Sequence, residues 1–367
     1  YLYGRHFNPT VYTLGKQLAA LEGTEAAYCS ASGMSAISAT LMQLCDAGDH
    51  IVSSNAVYGG TYALLHDLLP PKTGITSSLV DITDLAAVEA AITPRTRVIY
   101  TESMANPTLR VADIPRLSAI AKRYGIKLVV DNTFSPLILS PIKLGADIVV
   151  HSMTKFINGA SDYIAGAICA DADFIQQLMD LHTGMLMILG PTMDPQVAFN
   201  IALRLPHLPL RMTEHSKRAL LFAQRLQELG LEVNYPGLPQ HPDHELLTEL
   251  YCAEYGYGGI LTLDLGTQER AYEFLDLLQN EYRFGYVAVS LGYFDTLMSC
   301  SGSTTSSEMT EADKSAAGIS PGLVRMSLGY TGTTEQRWRQ LHKALERLGV
   351  IESDPFTDDV SEVSPTG

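Results

Sequence analysis

Cysteine is scarce and unpatterned. The 367 residues hold five, Cys29, Cys45, Cys169, Cys252 and Cys300. An odd number without metal-ligand spacing excludes a disulfide scaffold and a zinc site, and reads as reduced thiols of an intracellular, cytoplasmic protein. Positive charge is also in short supply: 25 Lys and Arg face 40 Asp and Glu, a formal net charge of −15. Neutralising nucleic-acid phosphates needs clustered cations, so a general nucleic-acid binder is excluded, while a local basic pocket for a phosphorylated cofactor is not. No apolar run approaches a membrane span, so no membrane partner is expected, and no signal peptide is visible. No internal repeat is present. The chain opens inside what reads as a functional motif, so further residues, and any targeting signal they carry, are expected before Tyr1.

What is present is ordinary globular composition, 46% hydrophobic and 18% charged, with length for two or three domains. Val11, Leu14, Leu18 and Leu21 recur at helical spacing, and Gly33 opens a second helical run to about Leu44. Short apolar stretches then alternate with helical ones. Strands are expected at His50–Ser53, Thr76–Val80, Val98–Thr101, Lys127–Val130 and Asp147–His151, with a helix around Ile114–Tyr124. That alternation predicts an α/β fold with a mainly parallel sheet covered by helices on both faces. After about Pro206 the pattern changes. A long helix near Pro209–Leu229 precedes strand candidates at Gly259–Leu265 and Gly322–Leu328, with helices at Thr267–Leu278 and Thr334–Leu348. The expected division is a large domain over 1–206, a smaller α+β domain over 207–352, and a disordered acidic tail over 353–367.

Chemistry concentrates at His151-Ser-Met-Thr-Lys155, which follows the apolar run Ile148-Val-Val. Strand ends of open α/β sheets are where ligands bind. A lysine buried there has a lowered pKa suited to Schiff-base chemistry. Alone, Lys155 reads equally as a lysine reaching solvent. The neighbouring strand, however, ends in Asp131, and a carboxylate beside a pyridine nitrogen would keep that nitrogen protonated. Two adjacent strand ends delivering Asp and then Ser-x-Thr-Lys are hard to obtain by chance, although Asp131 could simply cap a turn. Ser30-Ala-Ser-Gly33-Met34 opens a helix whose N–H groups can seat a phosphate, with Ser152 and Thr154 as further donors. A Ser-Gly before a helix is also an ordinary cap.

Several motifs together make the chain resemble the cystathionine γ-synthase and methionine γ-lyase family of fold-type I pyridoxal phosphate enzymes. They are Tyr3-Gly-Arg5 with Asn8-Pro-Thr, Ala31-Ser-Gly-Met34, Val57-Tyr-Gly-Gly60, Asn106-Pro107, Val130-Asp-Asn-Thr133, His151-Ser-x-Thr-Lys155 and Gly322-Leu-Val-Arg-x-Ser327. The likeness runs from Tyr3 to Leu348, and the stretch from Leu291 to Ser303 looks most like the plant-type methionine γ-lyase branch. The resemblance implies a seven-stranded-type sheet and pyridoxal 5′-phosphate as cofactor. It implies that Lys155 would carry the cofactor covalently and shuttle protons, that Asp131 would pair with the pyridinium, and that Tyr58 would stack on the ring and act as acid or base. Gly33, Met34, Ser152 and Thr154 would hold the phosphate. Tyr3 and Arg5 would reach the phosphate of a neighbouring subunit, so the active site would be shared across a dimer, within a homotetramer by analogy. Arg325 would clamp the substrate α-carboxylate, with Asn106 and Ser290 nearby; a guanidinium suits this because it meets a carboxylate bidentately.

The same proton shuttling serves γ-elimination and γ-replacement. Where bacterial methionine γ-lyases typically have a cysteine after Tyr-Gly, this chain has Gly60, and where cystathionine γ-lyases typically carry acids it has Leu2 and Val289. Apolar residues there favour an uncharged γ-substituent over the distal ammonium of cystathionine. Methionine-like γ-elimination is therefore the first expectation, and replacement on an O-acylhomoserine the second. His241-Pro-Asp-His244-Glu245 could suggest a metal, but in a loop without a third ligand its side chains are expected to be solvated, and no metal is expected.

Overall fold

A computed structural model describes residues 3–304 and 309–352. Leu2 and the acidic tail lie outside the described residues. Seven strands form the larger sheet: β1 (Ala26–Ser30), β2 (His50–Ser54), β3 (Thr76–Val80), β4 (Thr96–Glu102), β5 (Lys127–Asp131), β6 (Ile148–Ser152) and β7 (Gly166–Ala170). Their order is β1-β7-β6-β5-β4-β2-β3. The five strands from β6 to β3 are parallel, and β7 runs antiparallel to both β6 and β1. The central strands β5 and β6 were legible as apolar runs because they are buried on both faces, whereas the edge strand β3, Thr-Ser-Ser-Leu-Val, is only half-buried.

Alternation along these strands decides what faces the site. Ile99, Leu128, Val130 and Val149 lie in one core layer, with helix Pro9–Glu22. Val98, Tyr100, Val129, Ile148 and Val150 lie in the other, with helix Gly33–Leu44. Each fully buried aliphatic of this kind contributes about 1.5–3 kcal/mol, which fixes the register against a one-residue slip. That register leaves Glu102, Asp131 and Ser152 on the second face, one at each strand end. Asp147 pins the start of β6 to β5 by accepting from Leu128 N at 2.8 Å and Lys127 Nζ at 3.0 Å.

A second, smaller sheet contains β8 (Val233–Asn234), β9 (Ile260–Asp264), β10 (Tyr286–Val287), β11 (Leu297–Cys300) and β12 (Leu323–Ser327), in the order β10-β11-β12-β9-β8. Val324 and Met326 face its own core, beneath helices Leu208–Glu228 and Thr334–Arg347. Alternation turns Arg325 and Ser327 the other way, toward the larger sheet, where Ile260 joins the first core layer. The expected α/β architecture is the one observed.

Candidate active site

The strand ends converge on one cleft. Gly33, Met34, Tyr58, Glu102, Asn106, Asp131, Ser152, Thr154 and Lys155 all line it, with apolar walls from Ile37, Met104, Phe134, Ile164 and Leu291. Lys155 sits in the turn directly after β6. Its Nζ donates to Ser290 Oγ at 3.1 Å. Burial, and then the charge of Arg325, hold its amine down at about 8.

Ser290 comes from a distant part of the chain, and Gly292 explains how it arrives. Its φ is +76°, and a Cβ there would stand 2.5 Å from Phe156 N. Only glycine lets the segment pack flat against the backbone after Lys155. Gly292 N is then fixed by Ser327 Oγ at 2.9 Å.

Asp131 is buried and held from two sides. Its Oδ1 accepts from Thr133 N at 2.9 Å and Thr133 Oγ1 at 2.5 Å, while Tyr100 OH approaches Oδ2 at 3.4 Å. Burial pushes its carboxyl up and these donors offset part of that rise. A cationic ring nitrogen against it would offset more.

At the helix start, Ser32 and Ser35 form a capping box. Ser32 Oγ accepts from Ser35 N at 3.1 Å, and Ser35 Oγ from Ser32 N at 3.0 Å. The box leaves the Gly33 and Met34 N–H groups without an intrahelical partner, pointed at the cleft where an anion would sit. The Thr154 hydroxyl is already engaged, accepting from Ala165 N at 3.1 Å and donating to Ala165 O at 3.3 Å.

Arg325 is buried to 1% exposure. It donates to Asn106 Oδ1 at 3.1 Å and to the Ser290 carbonyl at 2.9 Å, and its Nε is buried without a partner. Among the described residues it has neutral oxygens for neighbours and no carboxylate. Burial lowers its guanidinium to about 10, although Tyr58 opposes the shift. A buried cation with an orphaned donor is a site prepared for an anion.

Tyr3 and Arg5 are not brought to this cleft. Tyr3 is exposed and rests against His6. Arg5 donates to the Met187 carbonyl at 2.5 Å. Val289 is also outside the lining and 62% exposed. The residue that sequence reasoning missed is Glu102. It is a carboxylate at the end of an apolar strand, the same signal that flagged Asp131. Solvated side chains were expected for the His241–Glu245 segment, and the structure corrects this. His241 and Asp243 are buried, and Asp243 accepts from Arg110 Nε at 2.7 Å and Val111 N at 2.9 Å. A guanidinium from a distant loop neutralises Asp243, which is what permits its burial.

An amine drawn down to about 8, a buried carboxylate in the same cleft, a helix N-terminus and an unmatched guanidinium fit pyridoxal phosphate together with an amino acid. The comparisons agree. A profile described as Cys/Met metabolism PLP-dependent enzyme matches residues 1–346. The chain is 57% identical to "Methionine gamma-lyase" of Arabidopsis thaliana, over 95% of this chain and 79% of that protein. It is 37% identical to "O-succinylhomoserine sulfhydrylase" of Pseudomonas aeruginosa, over 89% of this chain and 79% of that protein. The fold is similar to a crystal structure of cystathionine gamma synthase from Xanthomonas oryzae pv. oryzae in complex with cystathionine. There the TM-score is 0.89 at 34% identity, covering 95% of this chain and 88% of that one.

Proposed function

The chain belongs to the Cys/Met metabolism PLP-dependent enzyme family, and from that premise we propose that it converts L-methionine and water to 2-oxobutanoate, ammonia and methanethiol. The observation that carries the reading is the linked arrangement of a buried lysine amine and an unmatched buried guanidinium. Lys155 Nζ meets Ser290 Oγ, and the carbonyl of the same serine holds Arg325. Pyridoxal phosphate, carried on Lys155, supplies an electron sink for the charge left when a proton leaves the substrate.

The chain's own residues do the rest. Arg325 and Asn106 bind the α-carboxylate and turn the α-hydrogen toward Lys155. The Lys155 amine, drawn down to about 8, would in its unprotonated form accept the α-proton, pass that proton on to the bound cofactor, and so be free to accept a β-proton. Tyr58 donates a proton to the departing sulfur as the γ-carbon–sulfur bond breaks. Asp131 would keep the ring nitrogen protonated, and Thr133 holds Asp131 in place. Gly33, Met34 and Ser152 would hold the phosphate, joined by Thr154 once its hydroxyl turns from the Ala165 carbonyl. The apolar walls at Met104, Phe134, Ile164 and Leu291 suit a methyl thioether.

The second reading is γ-replacement on an O-acylhomoserine, supported by the likeness to the sulfhydrylase. One product assay separates the two. Release of methanethiol and 2-oxobutanoate from L-methionine supports elimination. Turnover of O-acetylhomoserine with added sulfide, and none of methionine, supports replacement.

The remaining assignments belong to the same reading. Tyr3 and Arg5 lie away from their own cleft, which supports their reaching the phosphate of a second subunit in a homodimer or homotetramer. Mixing inactive Arg5→Ala and Lys155→Ala variants, with subunit exchange verified, should then restore activity. We divide the chain into a cofactor-binding unit over 1–206 and a smaller unit over 207–352. All five cysteines are free and four are buried, which suits a reducing cytoplasm. No described helix is long and apolar enough to cross a membrane.

A further inference from the structure

We propose that Glu102 is a positioning residue that sets the distance between the proton donor Tyr58 and the carboxylate clamp Asn106–Arg325. The inference rests on the function proposed above and adds a residue to its machinery. Glu102 ends β4 on the site face, opposite Asp131 in the β4–β5 register. Its Oε1 accepts from Tyr58 N at 2.7 Å, and its Oε2 accepts from Asn106 N at 3.0 Å. Those main-chain groups belong to two separate loops. Asn106 continues the path, since its side-chain oxygen takes Arg325 Nη1 at 3.1 Å. Arg325 holds the Ser290 carbonyl at 2.9 Å, and Ser290 Oγ takes Lys155 Nζ at 3.1 Å. One hydrogen-bonded path therefore joins Tyr58 to Lys155, and Glu102 is its only carboxyl group.

Both oxygens of Glu102 are used by main-chain N–H groups. It is thus oriented to hold other residues, not to exchange protons with substrate. The carboxylate is also chemically required. Glutamine offers one acceptor and one NH₂ group, so it can serve Tyr58 or Asn106 but not both. Burial, and then the charge of Asp131, push the Glu102 carboxyl up to about 8, while the N–H groups of Tyr58 and Asn106 favour its charged form. A carboxylate kept in so unfavourable a place, where an apolar residue would pack, has a geometric task. Catalytic rates are sensitive to displacements of this kind, about 1 Å being enough to cost on the order of 100-fold.

The test uses holoenzyme. Glu102→Gln should keep the visible cofactor band and cofactor affinity within twofold. It should lower kcat on the preferred substrate roughly 10- to 100-fold, the worth of one charge-assisted hydrogen bond. It should also weaken binding of L-norleucine, which has no leaving group, about tenfold, read from its spectral change. In a Tyr58→Phe background the same substitution should cost under threefold in kcat, because the donor it positions is gone. Effects within twofold of the parent, losses that multiply with Tyr58→Phe, or losses cured by excess cofactor would each overturn the proposal. Glu102→Asp, too short to span both loops, is the second variant, read in the same way. If neither variant accumulates as folded, cofactor-binding protein, Glu102 is a fold determinant and the proposal fails. A parent protein inactive on both methionine and O-acetylhomoserine counts against the proposed function instead, and the L-norleucine arm still decides on Glu102.

Discussion

Replacing Arg325 by methionine removes a buried guanidinium while keeping a long, unbranched side chain. The ligand-free protein holds that charge at a cost. Burial draws the guanidinium from an ordinary 12.5 down to about 10, which at about 1.4 kcal/mol per pH unit is roughly 3 kcal/mol against the charged form. The substitution relieves this cost. It also strips the donor from Asn106 Oδ1 and the Ser290 carbonyl, a loss of about 1–3 kcal/mol for each oxygen left bare. The two effects oppose each other and are similar in size. The melting temperature of the ligand-free protein is therefore expected to move by only a few degrees. Substrate binding is different, because nothing compensates it. A carboxylate loses two charge-assisted hydrogen bonds worth about 1.5–3 kcal/mol each, so KM should rise on the order of 100- to 10,000-fold.

Thermal unfolding followed by circular dichroism, beside steady-state kinetics on the same preparation, measures both quantities. A KM within threefold of the parent would refute the clamp. So would a fall of more than about 10 °C in melting temperature, since Arg325 would then be serving the fold before it serves a ligand.

Three further outcomes are expected. The amine of Lys155 is unprotonated only above about 8, so capture of pyridoxal phosphate by the apoprotein should speed up as pH rises through 8; a midpoint near an ordinary lysine's 10.5 in stopped-flow absorbance would contradict the assigned burial. Gly60→Cys should lower kcat roughly tenfold with little change in KM, because a Cβ there would stand 2.6 Å from Tyr58 Cε1 and 3.2 Å from Met34 Sδ, and an unaltered kcat would show that the Tyr58 ring has no fixed task. Thr133→Val should cost about 1–3 kcal/mol of stability in denaturant titrations, since it leaves Ser152 N and Asp131 Oδ1 each short of a partner, and should weaken cofactor binding; an unchanged midpoint would mean that solvent replaces the threonine.

The parallel strands that carry Asp131 and Ser152 were readable because double-sided burial writes itself as the unbroken runs Leu-Val-Val and Ile-Val-Val. β1 and β7, with the sequences Ala-Ala-Tyr-Cys-Ser and Gly-Ala-Ile-Cys-Ala, were not expected as strands. Their small residues carry little β signal, and they are strands because β7 pairs with β6 and β1 pairs with β7. Arg325 could be placed by parity, since Val324 and Met326 had to face a core. That Ser290 would meet Lys155 could not, because 135 residues separate them and the meeting depends on Gly292 packing against another backbone. Asp243 failed for the same reason in reverse. Its segment is locally polar, and only the fold supplies Arg110 from 133 residues away.

The charges of the cleft explain why an acidic chain builds a site for anions. Its two carboxylates, Asp131 and Glu102, accept from neutral protein donors: Thr133 and Tyr100 for the first, Tyr58 N and Asn106 N for the second. Its two cations, Lys155 and Arg325, meet only neutral oxygens. Donors remain for an anion despite the net charge of −15: the Arg325 Nε, buried without a partner, and the N–H groups at the Gly33 helix start. A ligand completes the balance when it brings anionic groups to Arg325 and the Gly33 helix start, and a protonated ring nitrogen to Asp131. A phosphorylated pyridine joined to an amino acid carries that set of charges. The selectivity for the γ-substituent is then left to the uncharged walls, which is where elimination and replacement must diverge.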